Sequence, residues 1–224
     1  MALNVTQKLI RSHLLGGEMR PGAEIALKVD QVLLQDVLGI LVMLELEAMG
    51  VERSRVEVRI NLATAFDCPF DGRMPVGPVI ELLGRLAALR PDVEICLCDT
   101  TGRATPDHVA QLSAAAMACF PRVSAWAYHA HDTYGLGLAT TYAAYRAGLR
   151  VFDAAAGGLG GCPFAPGATG NVATEDVVWM FERMGIGTGV DLDALLPVAQ
   201  DAAALPGASA GGRARNALLP CKAA

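Results

Sequence analysis

Two histidines separated by one residue are the side chains in this sequence best suited to chemistry. His129 and His131 stand in the run HAHDTYG, at the end of a predicted strand. Side chains two apart in a strand point to the same face, so both imidazoles could bind one cation. An isolated pair of this kind is as often two ordinary core or surface histidines. Its position at a strand end, where parallel sheets deliver catalytic residues, favours a ligand pair.

A glycine-rich segment follows the next predicted strand and could belong to the same site. It runs GGLGGCPFAPGATGN from Gly157 to Asn171 and includes Cys162. Glycines at this density allow backbone conformations that other residues avoid, so they predict a loop that approaches a substrate closely or moves over it. The alternatives are that Asn171 only caps the helix that follows and that Cys162 is an inert loop thiol.

The segments that would position these residues alternate between short apolar strands and helices. We predict strands at Val56–Leu62, Val93–Leu97, Ser124–His131 and Val151–Ala156, and helices at Pro78–Leu89, Pro106–Cys119, Leu136–Ala147 and Thr174–Met184. Repeated βα units with short connections indicate parallel strands covered by helices. About four such units make half of an eight-stranded barrel. The predicted fold class is therefore α/β, a partial (β/α)8 TIM barrel.

The two ends of the chain differ from these repeated units. Residues 1–58 are predicted to form a small α/β segment, with a helix at Asn4–Leu15, a strand at Ala23–Val29 and a long apolar helix ending at Gly50. Residues 208–224 are rich in alanine, glycine and arginine without periodicity, and we predict a flexible tail there. The predicted divisions are 1–58, 59–207 and 208–224.

The composition favours a protein that acts on small molecules. Of 224 residues, 53% are hydrophobic and 18% charged, with a net charge of -5, so no basic surface for nucleic acid or an anionic membrane is expected. The most apolar run, Val37–Leu46, is too short to span a bilayer, and the amino terminus does not resemble a signal peptide. The six cysteines are irregularly spaced, which indicates reduced thiols in a cytoplasmic protein.

Three ordered motifs resemble the signature of an enzyme family. NLATAFDCPFDG from Asn61, HAHDTYG from His129 and AAGGLGGCPFAPGATGNVATED from Ala155 are similar to motifs of the 3-hydroxy-3-methylglutaryl-CoA (HMG-CoA) lyases, over about residues 59–207. The resemblance implies a (β/α)8 barrel, a magnesium or manganese ion and an acyl-CoA substrate. It also implies an activity: cleavage of HMG-CoA to acetoacetate and acetyl-CoA.

The resemblance also implies roles for individual residues. His129 and His131 would be metal ligands, and Asn171 would offer its amide oxygen near the same ion. Cys162 would be the loop thiol, a plausible acid to protonate the acetyl-CoA enolate.

Two acidic residues are further catalytic candidates by resemblance. Asp99 opens the turn Asp99-Thr100-Thr101-Gly102 after the second strand and would line the site. Glu175 lies one turn into the helix after the loop and matches an acidic position that helps to hold the site together.

The sequence before Arg59 departs from the lyases. The family carries an Arg-Asp pair on its first barrel strand, whose aspartate is a further metal ligand, and this sequence has no matching strand. Residues 1–58 instead resemble the amino terminus of an aconitase-type hydratase, with Gln35 and Asp36 at its substrate-contact motif. That segment contains no cysteine, so no iron–sulfur cluster is expected. The combination suggests a gene fusion or an internal deletion.

Several functions follow as hypotheses. The leading one is a divalent-metal carbon–carbon lyase of the HMG-CoA lyase type. The alternatives are a Claisen-type synthase, a lyase-like fragment without turnover and, on Gln35 and Asp36 alone, an aconitase-like hydratase. Because a partial barrel would leave strand edges and an apolar inner face uncovered, we also expect a homo-oligomer.

Overall fold

A computed structural model of the chain describes residues 5–28, 48, 59–89, 93–161, 170–208 and 211–219. By its internal contacts the chain divides into two units, Met1–Glu57 and Val58–Ala224. Gln35, Asp36 and Cys162 lie outside the described residues, as does most of the long helix predicted before Gly50.

In the first unit, a helix is followed by a short antiparallel strand pair. Helix α1 spans Val5–His13, strand β1 spans Leu14–Gly16 and strand β2 spans Ala26–Leu27. Helix α1 lies where the apolar pattern predicts one, whereas β2 is shorter than the predicted strand. The turn after β1 requires glycine at Gly17, because its φ is +87° and a Cβ there would lie 2.5 Å from the carbonyl oxygen of Glu24.

The second unit is built on a sheet of four parallel strands. They pair in chain order and are β3 (Arg59–Leu62), β4 (Glu94–Asp99), β5 (Ala125–Ala130) and β6 (Val151–Asp153). A small antiparallel ladder between Asp67–Cys68 and Gly72–Arg73 follows β3. The parallel order confirms the predicted α/β class and agrees with part of a barrel.

A helix follows each of these four strands, as the sequence predicts. The helices are α2 (Val76–Leu89), α3 (Pro106–Cys119), α4 (Gly137–Ala147) and α5 (Thr174–Arg183). Pro106 suits the first turn of α3, where its missing N–H has no helical partner, and Gly148 ends α4 in the left-handed region. No helix within the described ranges is both long enough and apolar enough to cross a bilayer.

The two faces of the sheet differ because side chains alternate along each strand. On one face Ile95, Leu97 and Trp126 join the apolar core formed with the helices. The opposite face carries a small apolar cluster formed by Cys96, Cys98, Ala127 and Val151. It also carries four ionisable side chains: Arg59, Glu94, His129 and Asp153. The expectation of an apolar inner face is therefore wrong for the described strands, and the argument for a homo-oligomer loses that support.

Two carboxyl-terminal helices were not predicted from the sequence. Helix α6 spans Leu192–Ala203 and helix α7 spans Arg213–Leu218. The carboxylate of Asp176 accepts hydrogen bonds from the first two backbone N–H groups of α7, at 3.0 and 2.6 Å, and the Arg215 side chain is buried. Residues 211–219 therefore do not form the flexible tail that low periodicity suggests, because long-range polar contacts hold them.

Replacing Asp176 with alanine should lower the free energy of unfolding by about 1–2 kcal/mol, since α7 loses the acceptor for its first N–H groups. Urea unfolding measures the change. Asp201→Ala removes an exposed carboxylate from α6 and should leave the unfolding free energy unchanged within error. Equal losses in the two variants would show that the cap does not stabilise the fold.

Candidate functional site

The histidine pair lies at the carboxyl end of β5, together with the end of the glycine-rich segment. The ring centroids of His129 and His131 are 5.2 Å apart. His131 also forms an isolated antiparallel bridge with Asn171. The fold thus brings the three predicted metal ligands into one neighbourhood. Among the described residues, no three histidine, cysteine or carboxylate side chains form a metal-binding group, so an amide oxygen is needed to extend the pair.

The amide of Asn171 has a fixed orientation. Its Nδ2 donates a 2.7 Å hydrogen bond to the carbonyl oxygen of Leu159. Gly160 permits this approach, because a Cβ there would lie 2.5 Å from Nδ2. The Asn171 Oδ1 atom is buried and has no hydrogen-bond partner within the described part of the chain, and the same holds for His131 Nδ1. Buried polar atoms are costly when unpaired, and both are atoms that a divalent cation can bind.

The two imidazoles differ in their affinity for protons. Burial and the neighbouring His129 lower the pKa of His131 to about 4, so His131 is neutral at pH 7 and keeps a lone pair for a cation. For His129, burial acts to lower the pKa, but the hydrogen bond to Asp153 and the charges of Cys98 and Asp153 raise it above the usual value.

An ion-pair network holds His129. The Asp153 Oδ2 atom lies 3.4 Å from His129 Nδ1 and accepts a 2.7 Å hydrogen bond from Arg59 Nη2. Burial acts to raise the pKa of Asp153, but these two partners lower it below the usual value. A carboxylate at Nδ1 favours the tautomer with its proton there, which leaves Nε2 available to a metal.

Sequence reasoning missed both Arg59 and Asp153 as site residues. The one available signal was position: Asp153 ends its strand and is in register with His129 on the neighbouring strand. Cross-strand neighbours share a face, so the carboxylate at the end of β6 lies on the same face as His129.

Asp99 is not brought to the histidines. It ends β4 on the face that packs against the helices, in register with the core residue Ala130. Its carboxylate is 1% exposed and accepts hydrogen bonds from the backbone N–H groups of Arg103 (3.1 Å) and Ala104 (3.2 Å). Burial raises the pKa of Asp99 to about 6, although these N–H groups act to lower it. In this position Asp99 holds the turn after β4.

Glu175 lies beneath the start of the glycine-rich segment. Its side chain is fully buried, and Oε2 accepts a 3.0 Å hydrogen bond from the backbone N–H of Gly157. The structure therefore places Glu175 in a supporting position, while the predicted thiol, Cys162, lies outside the described residues.

The sequence of the chain also matches a known protein family. The HMGL-like family model matches residues 43–201. The chain belongs to the HMGL-like family. The match begins before Arg59, so residues 43–58 lie within it, although the sequence alone predicts an aconitase-like fragment over residues 1–58.

Individual relatives of this HMGL-like chain are lyases. The (R)-citramalyl-CoA lyase of Chloroflexus aurantiacus is 43% identical over 152 residues, which cover 66% of this chain and 46% of that protein. A hydroxymethylglutaryl-CoA lyase of Bacillus subtilis is 43% identical over 149 residues, covering 66% and 49%. The chain spans about half the length of these curated relatives.

Solved structures agree with this assignment. An HMG-CoA lyase from Acinetobacter baumannii, in complex with coenzyme A and 3-methylmalate, has a TM-score of 0.68 and 35% identity, and the alignment covers 85% of this chain and 61% of that chain. The hydroxymethylglutaryl-CoA lyase from Pseudomonas aeruginosa has a TM-score of 0.66 and 40% identity, with coverage of 78% and 57%. The resemblance to HMG-CoA lyases is confirmed.

The raised pKa of Asp99 predicts a pH dependence of stability. An acid whose pKa is higher in the folded state stabilises the fold below its unfolded pKa, near 3.8, and this contribution is lost as the pH rises through about 6. The loss is on the order of 1.4 kcal/mol for each unit of the shift.

Asp99→Asn should therefore remove this decline in the free energy of unfolding, measured with urea between pH 4 and pH 7. Asp201→Asn, at an exposed position on α6, should retain the wild-type pH profile. If wild type and Asp99→Asn have the same profile over this range, the pKa of Asp99 is not raised.

Proposed function

We propose that this chain carries the metal-binding part of a divalent-metal carbon–carbon lyase that acts on a 3-hydroxyacyl-CoA, with HMG-CoA as the leading substrate. The observation that carries the proposal is a pair of buried atoms that have no hydrogen-bond partner among the described residues, His131 Nδ1 and Asn171 Oδ1. These two residues are bridged through their backbones, and the ring of His129 lies 5.2 Å from that of His131. Family membership supports the same reaction class.

The residues present fit a magnesium or manganese ion held by His129, His131 and Asn171. Such an ion, when bound, would orient the oxygen atoms of the substrate and stabilise the negative charge that develops on them. Two imidazoles and one amide oxygen form a neutral ligand set. Magnesium is a hard cation that takes oxygen ligands and gives up its water molecules reluctantly, so we expect manganese to bind this nitrogen-rich set more tightly.

The chain's own groups would position His129 and move protons. Arg59 fixes the carboxylate of Asp153, and Asp153 in turn orients the imidazole of His129. In the reaction, the 3-hydroxyl group loses its proton to a base and the bond between C2 and C3 breaks. The enolate of acetyl-CoA then takes a proton at C2, for which Cys162 is the proposed donor, and acetoacetate is released.

Citramalyl-CoA, which differs from HMG-CoA in its acyl group, is a second candidate substrate. A (R)-citramalyl-CoA lyase and an HMG-CoA lyase are equally similar to this chain, at 43% identity. The aconitase-like roles of Gln35 and Asp36, self-association, a Claisen-type synthase activity and a fragment without turnover stay predictions.

Manganese titration tests the ligand assignment. His131→Ala and Asn171→Ala should each weaken manganese binding by at least about tenfold, because each removes one donor from a small ligand set. Electron paramagnetic resonance of free manganese gives the dissociation constants. His13→Ala, a histidine of the first unit, is the matched control. Unchanged affinity in both site variants would show that the ion binds elsewhere.

Product formation tests the reaction. With added manganese, the protein should release acetoacetate and acetyl-CoA from HMG-CoA, and citramalyl-CoA should be tested in parallel. Cys162→Ser should reduce the rate of product formation at least about tenfold without changing manganese affinity. Cys119→Ser, at an exposed thiol, should retain the wild-type rate. Manganese binding without product from either substrate would favour a chain that does not turn over.

A further inference from the structure

A buried ion pair joins the carboxyl-terminal helix to the base of the glycine-rich segment. Arg215 Nη1 lies 3.5 Å from Glu175 Oε1, and the two side chains are 5% and 0% exposed. Charged side chains are seldom buried this completely, and when they are, their geometry is set by partners. The pair therefore fixes where α7 lies against α5.

The guanidinium group of Arg215 also binds two backbone carbonyls. Nη2 donates a 2.8 Å hydrogen bond to Gly211, and Nη1 donates a 3.3 Å hydrogen bond to Ala199 on α6. One planar group thus connects α5, α6 and Gly211, two residues before α7. A lysine cannot reproduce this fork, because its single ammonium group lacks the planar set of donors.

These contacts converge on the backbone of Gly157. Its N–H donates to Glu175 Oε2 at 3.0 Å, and its carbonyl oxygen accepts from the N–H of Gly211 at 2.8 Å. Gly157 has a φ of +69°, and a Cβ there would lie 2.9 Å from the carbonyl oxygen of Ala199 and 3.2 Å from Arg215 Nη1. Two partners of Arg215, Glu175 and Gly211, therefore bind the backbone N–H and the carbonyl oxygen of Gly157.

The same turn holds the amide of Asn171. Gly157 is the central residue of the 3-10 turn Ala156–Gly158. The next residue, Leu159, accepts the hydrogen bond from Asn171 Nδ2. A shift of the turn would move the acceptor that orients this amide, and with it the buried Oδ1 atom of a residue whose backbone is bridged to His131.

We propose that Arg215 is a positioning residue for Asn171. It acts through Gly211, Glu175 and the turn at Gly157 to fix the amide of Asn171, the residue bridged to His131, although α7 itself is distant in sequence from every proposed metal ligand. This inference rests on the proposed function for its metal-binding consequence, whereas the positioning of the amide can be measured without metal.

The first experiment measures the amide directly. The side-chain ¹⁵NH₂ signal of Asn171 is identified by its loss in Asn171→Ala. In Arg215→Lys, which keeps the charge opposite Glu175 and so preserves folding, this signal should shift. Arg213→Lys changes an exposed neighbour on the same helix and should leave the signal in place. An unmoved signal in folded Arg215→Lys overturns the proposal, whatever the metal affinity.

The second experiment is a double-mutant cycle on manganese affinity. Arg215→Lys should weaken binding about three- to tenfold in the wild-type background and not at all in the Asn171→Ala background. Equal weakening in both backgrounds would show that Arg215 acts on the whole site, which overturns its specific link to Asn171. If wild type binds no manganese, the proposed function fails, while the amide signal still decides the role of Arg215.

Discussion

An ion pair between the two outer strands of the described sheet sets its shape. Arg59 lies on β3 and Asp153 on β6, with β4 and β5 between them, yet Nη2 and Oδ2 are 2.7 Å apart. Neighbouring strands are about 4.8 Å apart, so a flat sheet would separate these backbones by roughly 14 Å, a distance hard for these two side chains to span. The sheet must therefore curve towards this face, as it does in a barrel wall. The same contact places the carboxylate against His129.

That placement gives the two histidines different chemistry. Burial and the charge of Arg59 act to lower the pKa of His129, but the hydrogen bond to Asp153 and the charges of Cys98 and Asp153 raise it above its usual value. Burial and the charge of His129 lower the pKa of His131 to about 4. A cation site needs unprotonated nitrogen atoms. His131 provides one without any help, while His129 provides one when its proton is held on the Nδ1 side by Asp153. The ion pair of Arg59 and Asp153 therefore orients His129 as a ligand, while burial and the neighbouring His129 keep His131 neutral.

The sequence predicts local structure well and long-range contacts poorly. Period-two and helical patterns locate the four strands and the helices after them, and the spacing of His129 and His131 places both near one strand end. Arg59 and Asp153 were missed, because they meet across 94 positions and no local pattern records such a pair. Helix α7 was missed since its cap, Asp176, is 37 positions away from Arg213. Asp99 was assigned to the site by resemblance, although alternation puts it on the same face as the core residue Leu97.

The candidate ligands consequently depend on two different kinds of support. His129 lies in β5, where backbone pairing to β4 and β6 fixes it, and His131 follows the last residue of that strand. Within the described part of the chain, Asn171 is held by its isolated bridge to His131 and by one side-chain hydrogen bond to Leu159, so the orientation of its amide depends on the turn beside it. Gly157 can form that turn because it lacks a side chain, and the missing side chain also lets α6 and Arg215 approach. The part of the site with the least local support is thus the part that the carboxyl-terminal helix holds in place.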